Sequence, residues 1–189
     1  MRVRCTGRQQ NPNAFGAWGF APTRASGPGQ PCLKMRTDTL IESQPVTRDE
    51  MVRLLNQDLA REYQAIIAYI VYSQTMKGAA YTDIAGELEQ HAQEELSHAV
   101  KVARQIDYLG GTPTVRPFEV KTSDDAKQML EFDLENERQT LINYRERIRQ
   151  ADSMGEFALS EVLREIIVQE QDHLQDLSDA LGIEAPQID

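Results

Sequence analysis

The chain contains 189 residues, of which 40% are hydrophobic and 26% charged, a composition typical of a globular protein. Its formal net charge of -10 disfavours nucleic-acid binding by the chain as a whole, because such binding depends on basic residues that neutralise phosphates. No apolar run approaches the roughly 20 residues needed to span a bilayer, so no membrane partner is expected. Two cysteines, Cys5 and Cys32, are too few for a disulfide framework or a four-cysteine zinc site.

The first 34 residues differ from the rest of the chain. They contain five basic residues and no acidic residue, and they hold both cysteines and four of the eight prolines. Because no helical or strand periodicity is present, residues 1–34 are predicted to be a disordered tail. We interpret this tail either as a stretch upstream of a true translation start at Met35 or as a targeting segment. It is the one part of the chain through which nucleic-acid binding is conceivable.

Residues 35–189 are predicted to form one domain made of helices. This part carries all 30 acidic residues and no cysteine, which favours a cytoplasmic protein. Thr47 and Glu50 form a capping box that opens the first helix, and Gly78 ends it. The second helix is predicted from about Tyr81 to Leu109.

Two further helices complete the predicted domain. The third begins after Ser123 and extends to about Gln150. Ser153 and Glu156 predict a second capping box, and the fourth helix continues from there to Gly182.

The connections predict the topology. Short links join the first helix to the second and the third to the fourth, so each pair forms an antiparallel hairpin. Residues 110–123 reach roughly 46 Å when extended at about 3.3 Å per residue, whereas the second helix is about 42 Å long. The third helix can therefore start parallel to the second. The predicted fold is an all-α antiparallel four-helix bundle with one long crossover.

A chemical repeat relates the two halves of the predicted domain. The first half contains, in order, Glu62, Tyr69, Glu95 and His98. Adding 75 to each number gives the chemically identical set Glu137, Tyr144, Glu170 and His173. In each Glu-x-x-His pair the side chains are three residues apart on a helix, so both can face the bundle axis. A single pair of this kind is common on protein surfaces, but two pairs in register with two further glutamates are specific.

The apolar neighbours of these residues predict that the carboxylates are buried and bind metal. Four buried carboxylates need neutralisation, because each buried ion costs several kcal/mol. Two divalent cations balance four glutamates and two neutral histidines. Iron or manganese fits this oxygen-rich donor set better than zinc or copper. For Tyr69 and Tyr144 core packing and a hydrogen-bonding or electron-donating role stay open, while Glu94 is predicted to be solvated and His91 to lie on the surface or line a shell.

At these residues the sequence resembles the bacterioferritin branch of the ferritin-like superfamily, over roughly residues 48–182. The resemblance implies that Glu62 and His98 are terminal ligands of one iron. It also implies that Glu137 and His173 hold a second iron, that Glu95 and Glu170 bridge the two, and that Tyr69 lies next to the site. The family binds two Fe(II), oxidises them with O2 or H2O2, and stores ferric mineral inside a homo-oligomeric shell.

Two departures from the family pattern qualify the resemblance. Bacterioferritins bind haem through a methionine that directly follows the first-motif glutamate, and Leu96 occupies that position. We therefore expect no haem at this site. The family also has a short fifth helix, whereas only Ile183 to Asp189 follow Gly182, which leaves the size of the shell open.

Other functions are compatible with parts of the pattern. A rubrerythrin-like peroxidase usually adds a cysteine-ligated iron domain, and a manganese catalase shares paired Glu-x-x-His motifs in a longer chain. A DNA-protecting assembly resembling Dps would bind through residues 1–34, although Dps proteins build their metal site between subunits. A metal-free helical scaffold is the fourth alternative.

Overall fold

The computed structural model describes residues 46–188, and the predictions made for residues 1–34 lie outside this range. The described part is all-helical. Its four long helices are α1 (Arg48–Thr75), α2 (Thr82–Tyr108), α3 (Ala126–Met154) and α4 (Phe157–Leu181), with a 3-10 turn at Ala79–Tyr81 before α2. Within the described residues, none of these helices is both long and apolar enough to cross a membrane.

The helices pair into two hairpins, α1 with α2 and α3 with α4, as predicted. The first capping residue is confirmed, because the Thr47 hydroxyl oxygen accepts a hydrogen bond from the Glu50 backbone N–H at 3.2 Å. The other half of the predicted capping box is wrong, because the Glu50 carboxylate accepts two hydrogen bonds of 2.6 and 2.8 Å from Arg53 instead of one from the Thr47 N–H.

The predicted second capping box, Ser153 with Glu156, is wrong. Helix α3 continues one turn beyond Gln150, and the Ser153 hydroxyl lies inside it, donating to the Arg149 carbonyl at 2.8 Å. The helix ends at Gly155, which adopts a left-handed conformation with φ of 75°. In this geometry the Glu156 N–H returns to the Ala151 carbonyl at 2.9 Å, so the α3–α4 turn is closed by backbone hydrogen bonds.

The crossover between α2 and α3 follows α1 along its length. Near the start of α1, the Asn56 side chain bonds the backbone of Thr112 and Thr114. Further along, Gln64 donates to the Glu119 carbonyl at 2.6 Å, and the Tyr72 hydroxyl donates to the Lys121 carbonyl.

Because the crossover ends beside the C-terminal part of α1, α3 starts there and runs parallel to α2. The predicted four-helix bundle with one long crossover is confirmed.

Two apolar clusters form the core, one toward each end of the bundle. One contains Leu88 and Leu130, and the other contains Leu55 and Leu163. On α1 the buried Glu62 lies between the two clusters. The apolar stripes therefore position a polar layer at mid-height of the bundle.

Gly155 offers a test of the turn between α3 and α4. A Cβ at Gly155 would meet no atom within 4 Å, so Gly155→Ala causes no steric clash with other residues. Its only expected effect is the cost of holding alanine at a positive φ. We expect it to lower the free energy of unfolding by about 1–2 kcal/mol. Gly86→Ala is the matched control, because Gly86 lies inside α2 with equally open space. There we expect a gain of about 0.5–1 kcal/mol.

Urea unfolding of the metal-free protein, followed by circular dichroism, measures both changes. A Gly155→Ala protein as stable as the Gly86→Ala protein would contradict this description of the turn.

Candidate metal centre

Six side chains from all four helices converge in the polar layer. They are Glu62, Glu95, His98, Glu137, Glu170 and His173, called the six-residue cluster below, and each is at most 2% exposed. They form two groups in which one ligand atom from each residue lies within 4.8 Å of the others. His98 and Glu62 belong to the first group, and His173 and Glu137 belong to the second. Glu95 and Glu170 belong to both groups, so they lie where they can bridge two cations.

Each histidine points its Nδ1 into the cluster. His98 Nδ1 lies 3.0 Å from Glu170 Oε1 and 3.6 Å from Glu62 Oε2. His173 Nδ1 lies 2.9 Å from Glu95 Oε1 and 3.9 Å from Glu170 Oε2. Neither Nδ1 has hydrogen-bond geometry to these oxygens, so no protein hydrogen bond competes with a cation for either nitrogen.

The outer nitrogen of each histidine is held by the opposite half of the repeat. His98 Nε2 lies 3.0 Å from the side-chain oxygen of Gln169, and His173 Nε2 lies 2.7 Å from a carboxylate oxygen of Glu94. These two partners are themselves 75 residues apart, so they belong to the same repeat. A partner on Nε2 fixes the ring orientation and the tautomer that leaves Nδ1 as a ligand.

The carboxylates carry unsatisfied oxygens that fit a cation. Buried oxygens without a hydrogen-bond partner occur on Glu62, Glu95, Glu137 and, at both positions, Glu170. Burial raises the pKa of Glu95 and of Glu137, and the Glu170 carboxylate raises the pKa of Glu137 further. Buried anionic oxygens without donors are unfavourable, and divalent cations would satisfy them. The residues present therefore fit a pair of hard divalent metal ions.

The histidines are basic in the metal-free protein. Burial alone lowers the pKa of a histidine, but the surrounding carboxylates outweigh it here. They raise the pKa of His173 to about 9 and also raise the pKa of His98. Both rings therefore carry a proton at neutral pH until a metal ion replaces it.

Tyr69 and Tyr144 bond to the cluster across the two halves of the repeat. The buried Tyr69 hydroxyl donates to Glu137 Oε1, and the buried Tyr144 hydroxyl donates to Glu62 Oε1. Burial raises the pKa of both phenols well above its ordinary value, so they are neutral donors. The sequence left packing and hydrogen bonding open for these residues, and the structure shows both.

Two predictions about neighbouring residues are wrong. Glu94 is not simply solvated, because its carboxylate holds His173 as described above. His91 is not a surface residue: it is 2% exposed, and its ring stacks on the His173 ring with centroids 4.1 Å apart. Burial and the adjacent His173 lower the pKa of His91 to about 4. The signal that sequence reasoning missed is that His91 lies seven residues before His98, two turns along the same helix.

Sequence reasoning also missed a second layer of buried charge. Arg147 donates to Asp58 at 2.9 Å, and both side chains are buried. Burial nevertheless raises the pKa of Asp58 to about 6. The position of Asp58 in the repeat corresponds to Asp133, which is also buried and whose pKa burial raises well above its ordinary value. The 75-residue spacing of these aspartates was visible in the sequence.

Leu96, on which the expectation of no haem rests, lies apart from the cluster. Its side chain is 56% exposed, whereas Glu95 beside it is buried. The expectation about haem stays a prediction.

Comparisons with known proteins show the family of the chain. A family model described as a ferritin-like domain matches residues 52–184. A bacterioferritin of Brucella melitensis is 26% identical over 137 residues, covering 71% of this chain and 84% of that protein. A bacterial ferritin of Pseudomonas aeruginosa is 28% identical over 135 residues, covering 71% and 88%.

Solved structures show the same fold. A ferritin-like di-iron carboxylate protein of Bacillus anthracis superposes with a TM-score of 0.69 at 34% identity, covering 74% of this chain and 99% of that chain. A dodecameric thioferritin of Bacteroides fragilis, described as bacterioferritin-related, gives a TM-score of 0.68 at 26% identity, covering 73% and 88%. The chain belongs to the ferritin-like domain family, and its resemblance to bacterioferritins is confirmed.

Proposed function

We propose that this protein is a ferroxidase that oxidises Fe(II) with O2 or H2O2 and that the six-residue cluster binds the two iron ions. The observation that carries the proposal is the sharing of Glu95 and Glu170 between two four-residue groups, each with its own histidine. One iron would bind Glu62 and His98, and the other would bind Glu137 and His173. Both would contact the two shared carboxylates.

Iron supplies the redox chemistry, and the chain supplies position and charge. Each Fe(II) gives one electron, and the two electrons with two protons reduce O2 to H2O2 or H2O2 to water. Four glutamates neutralise two divalent cations while both histidines stay neutral, so the occupied site carries no net charge before oxidation. The tyrosine hydroxyls bind Oε1 of Glu137 and of Glu62, which would leave Oε2 of each glutamate available to a metal ion.

Iron storage in a homo-oligomeric shell is the second part of the proposal. A shell is supported by the dodecameric relative from Bacteroides fragilis, and the excess of acidic residues suits a surface that collects Fe(II). We assign this role to the domain formed by residues 35–189 and place the protein in the cytoplasm. Size-exclusion chromatography with light scattering measures the assembly, and a monomer that binds iron would contradict storage in a shell.

Manganese is the alternative metal, because the same donor set of carboxylates and imidazoles suits Mn(II). A manganese catalase activity would then replace Fe(II) oxidation. Elemental analysis after expression without added metal separates the two, since a site filled with manganese would contradict the ferroxidase.

The bridging carboxylates provide the first test of the ferroxidase. Fe(II) is added anaerobically, air is admitted, and the ferric absorbance is followed. Loss of a residue that only supports a metal ligand reduces metal affinity or activity about 10–100-fold. Glu95→Gln with Glu170→Gln should therefore slow the fast phase at least that much. Glu161→Gln with Glu165→Gln removes two exposed carboxylates from α4 and is the matched control. Equal fast phases in the two double variants would contradict the proposal.

Proton release provides a second test. Because His173 has a pKa of about 9 and His98 also has a raised pKa, cation binding at pH 7 should displace two or more protons per chain. Calorimetric titration with Co(II) in buffers of different ionisation enthalpy measures the number. The release should decrease as the pH rises through 9, because His173 then loses its proton before the metal arrives. Binding at pH 7 without proton release would exclude these histidines as ligands.

The two tyrosines should act on different metal positions. Tyr69→Phe removes the donor to Glu137, and Tyr144→Phe removes the donor to Glu62. We expect each variant to weaken one of two Co(II) binding steps about 10–100-fold and to leave the other step within threefold. His98→Gln and His173→Gln identify the steps, so that Tyr144→Phe should affect the same step as His98→Gln. Identical effects of both tyrosine variants on both steps would contradict separate positions.

A further inference from the structure

The two cation positions of the six-residue cluster differ in the residue that holds the histidine. We call them the His98 position and the His173 position, after the histidine that each contains. His173 Nε2 lies 2.7 Å from a carboxylate oxygen of Glu94, whereas His98 Nε2 lies 3.0 Å from the side-chain oxygen of Gln169. The two partners occupy equivalent places in the repeat, so the hydrogen bond is repeated but the charge is not.

A carboxylate partner changes what a histidine offers to a metal ion. A ring whose outer N–H donates to a carboxylate becomes a more basic ligand at its other nitrogen. A hydrogen bond to a charged acceptor is also roughly twice as strong as one to a neutral amide such as Gln169. The Glu94 side chain is 27% exposed while His173 is 1% exposed, so the anion keeps contact with solvent and its partner does not. The His173 ring is therefore the stronger of the two imidazole ligands.

The buried residues next to the terminal glutamates differ in the same sense. At the His98 position, Asp58 lies one turn before the glutamate on α1 and accepts a hydrogen bond of 2.9 Å from Arg147. Asp133 occupies the equivalent place at the other position, but the residue equivalent to Arg147 is Tyr72, whose hydroxyl donates to a crossover carbonyl. A buried guanidinium therefore compensates the aspartate beside the His98 position only. This difference also favours a cation at the other position.

We propose that the charge difference between Glu94 and Gln169 ranks the two positions, so that the His173 position binds a divalent cation more tightly and fills first. Glu94 is a positioning residue in this scheme, because it acts on the cation through the His173 ring. Arg61 does not set the ranking, because it acts on the terminal glutamates of both positions. The ranking concerns cation binding alone, whereas its consequence for oxidation rests on the proposed ferroxidase function.

The consequence is that pairing of the ions depends on the amount of Fe(II). At one Fe(II) per chain, the ion would occupy the His173 position in most chains, and few chains would hold a pair. Reduction of O2 to H2O2 takes two electrons, and each Fe(II) supplies one. The fast phase of oxidation should therefore begin only after the first equivalent of Fe(II) has bound.

Reciprocal substitutions test the ranking. Co(II) is titrated calorimetrically into the metal-free full chain, and His98→Gln and His173→Gln assign each binding step to its position. Glu94→Gln keeps an acceptor oxygen for the ring and removes the charge. It should weaken the His173 step about 10-fold, the lower end of the range for losing such a partner, and leave the other step within threefold. Gln169→Glu should strengthen the His98 step.

The double variant Glu94→Gln with Gln169→Glu keeps the composition and net charge of the chain. It should invert the order of filling, with circular dichroism to verify that the variant is folded. Glu161→Gln removes an exposed carboxylate from α4 and should leave the order unchanged. An unchanged order and spacing of the two steps in the double variant would overturn the ranking and leave the ferroxidase intact. Fewer than two Co(II) ions in the unchanged protein would contradict the two-ion cluster and the ranking together.

Oxidation at one Fe(II) per chain tests the consequence. Glu94→Gln brings the two affinities closer, so a larger fraction of the iron should form pairs and oxidise in the fast phase. Glu161→Gln should leave this fraction as it is in the unchanged protein. Equal fast fractions in the Glu94→Gln protein and the unchanged protein would overturn the link between ranking and oxidation.

Discussion

The structure depends on the burial of four carboxylates at one level of the bundle. A buried ion costs several kcal/mol even after relaxation, and a typical domain has only about 5–15 kcal/mol of net stability. Four glutamates that are each at most 2% exposed therefore need compensation. In the metal-free chain, raised carboxylate pKa values and two protonated histidines supply part of it. Two divalent cations would supply the rest, which makes metal affinity a direct consequence of the packing.

The two halves of the repeat are connected through this layer. Each tyrosine bonds a glutamate of the other half, and each histidine is held by a residue of the other half. Each half therefore orients the ligands of the other half. The repeat departs from symmetry where Glu94 corresponds to Gln169. It also departs where Glu87, His91 and Asp176 correspond to Val162, Ile166 and Lys101. The two cation positions are consequently alike in their direct ligands but differ in their surroundings.

Much of the fold and of the candidate site could be predicted from the sequence, because the spacing of apolar residues along a helix indicates which face is buried. The apolar stripes predicted the four helices, and the length of residues 110–123 predicted the crossover. The prediction for Ser153 was wrong because a serine near a helix end can either cap the next helix or bond to the preceding turn of its own helix. The left-handed Gly155 ends α3 after Ser153, so Ser153 belongs to α3. His91 and Glu94 were misplaced because their environment depends on where α4 lies against α2, which no local pattern records.

The division of the ligands between two hairpins has a consequence for how the chain folds. Each hairpin contains sequence-local contacts and can form early, whereas the pairing of α1–α2 with α3–α4 brings together residues more than 70 positions apart, such as Glu95 and Glu170. Part of the electrostatic repulsion, such as that between Glu62 and Glu95, arises within one hairpin, but the four carboxylates come together in one layer only in that docking step. Cations that bind the layer therefore act on the last stage of assembly, after the individual helices have formed.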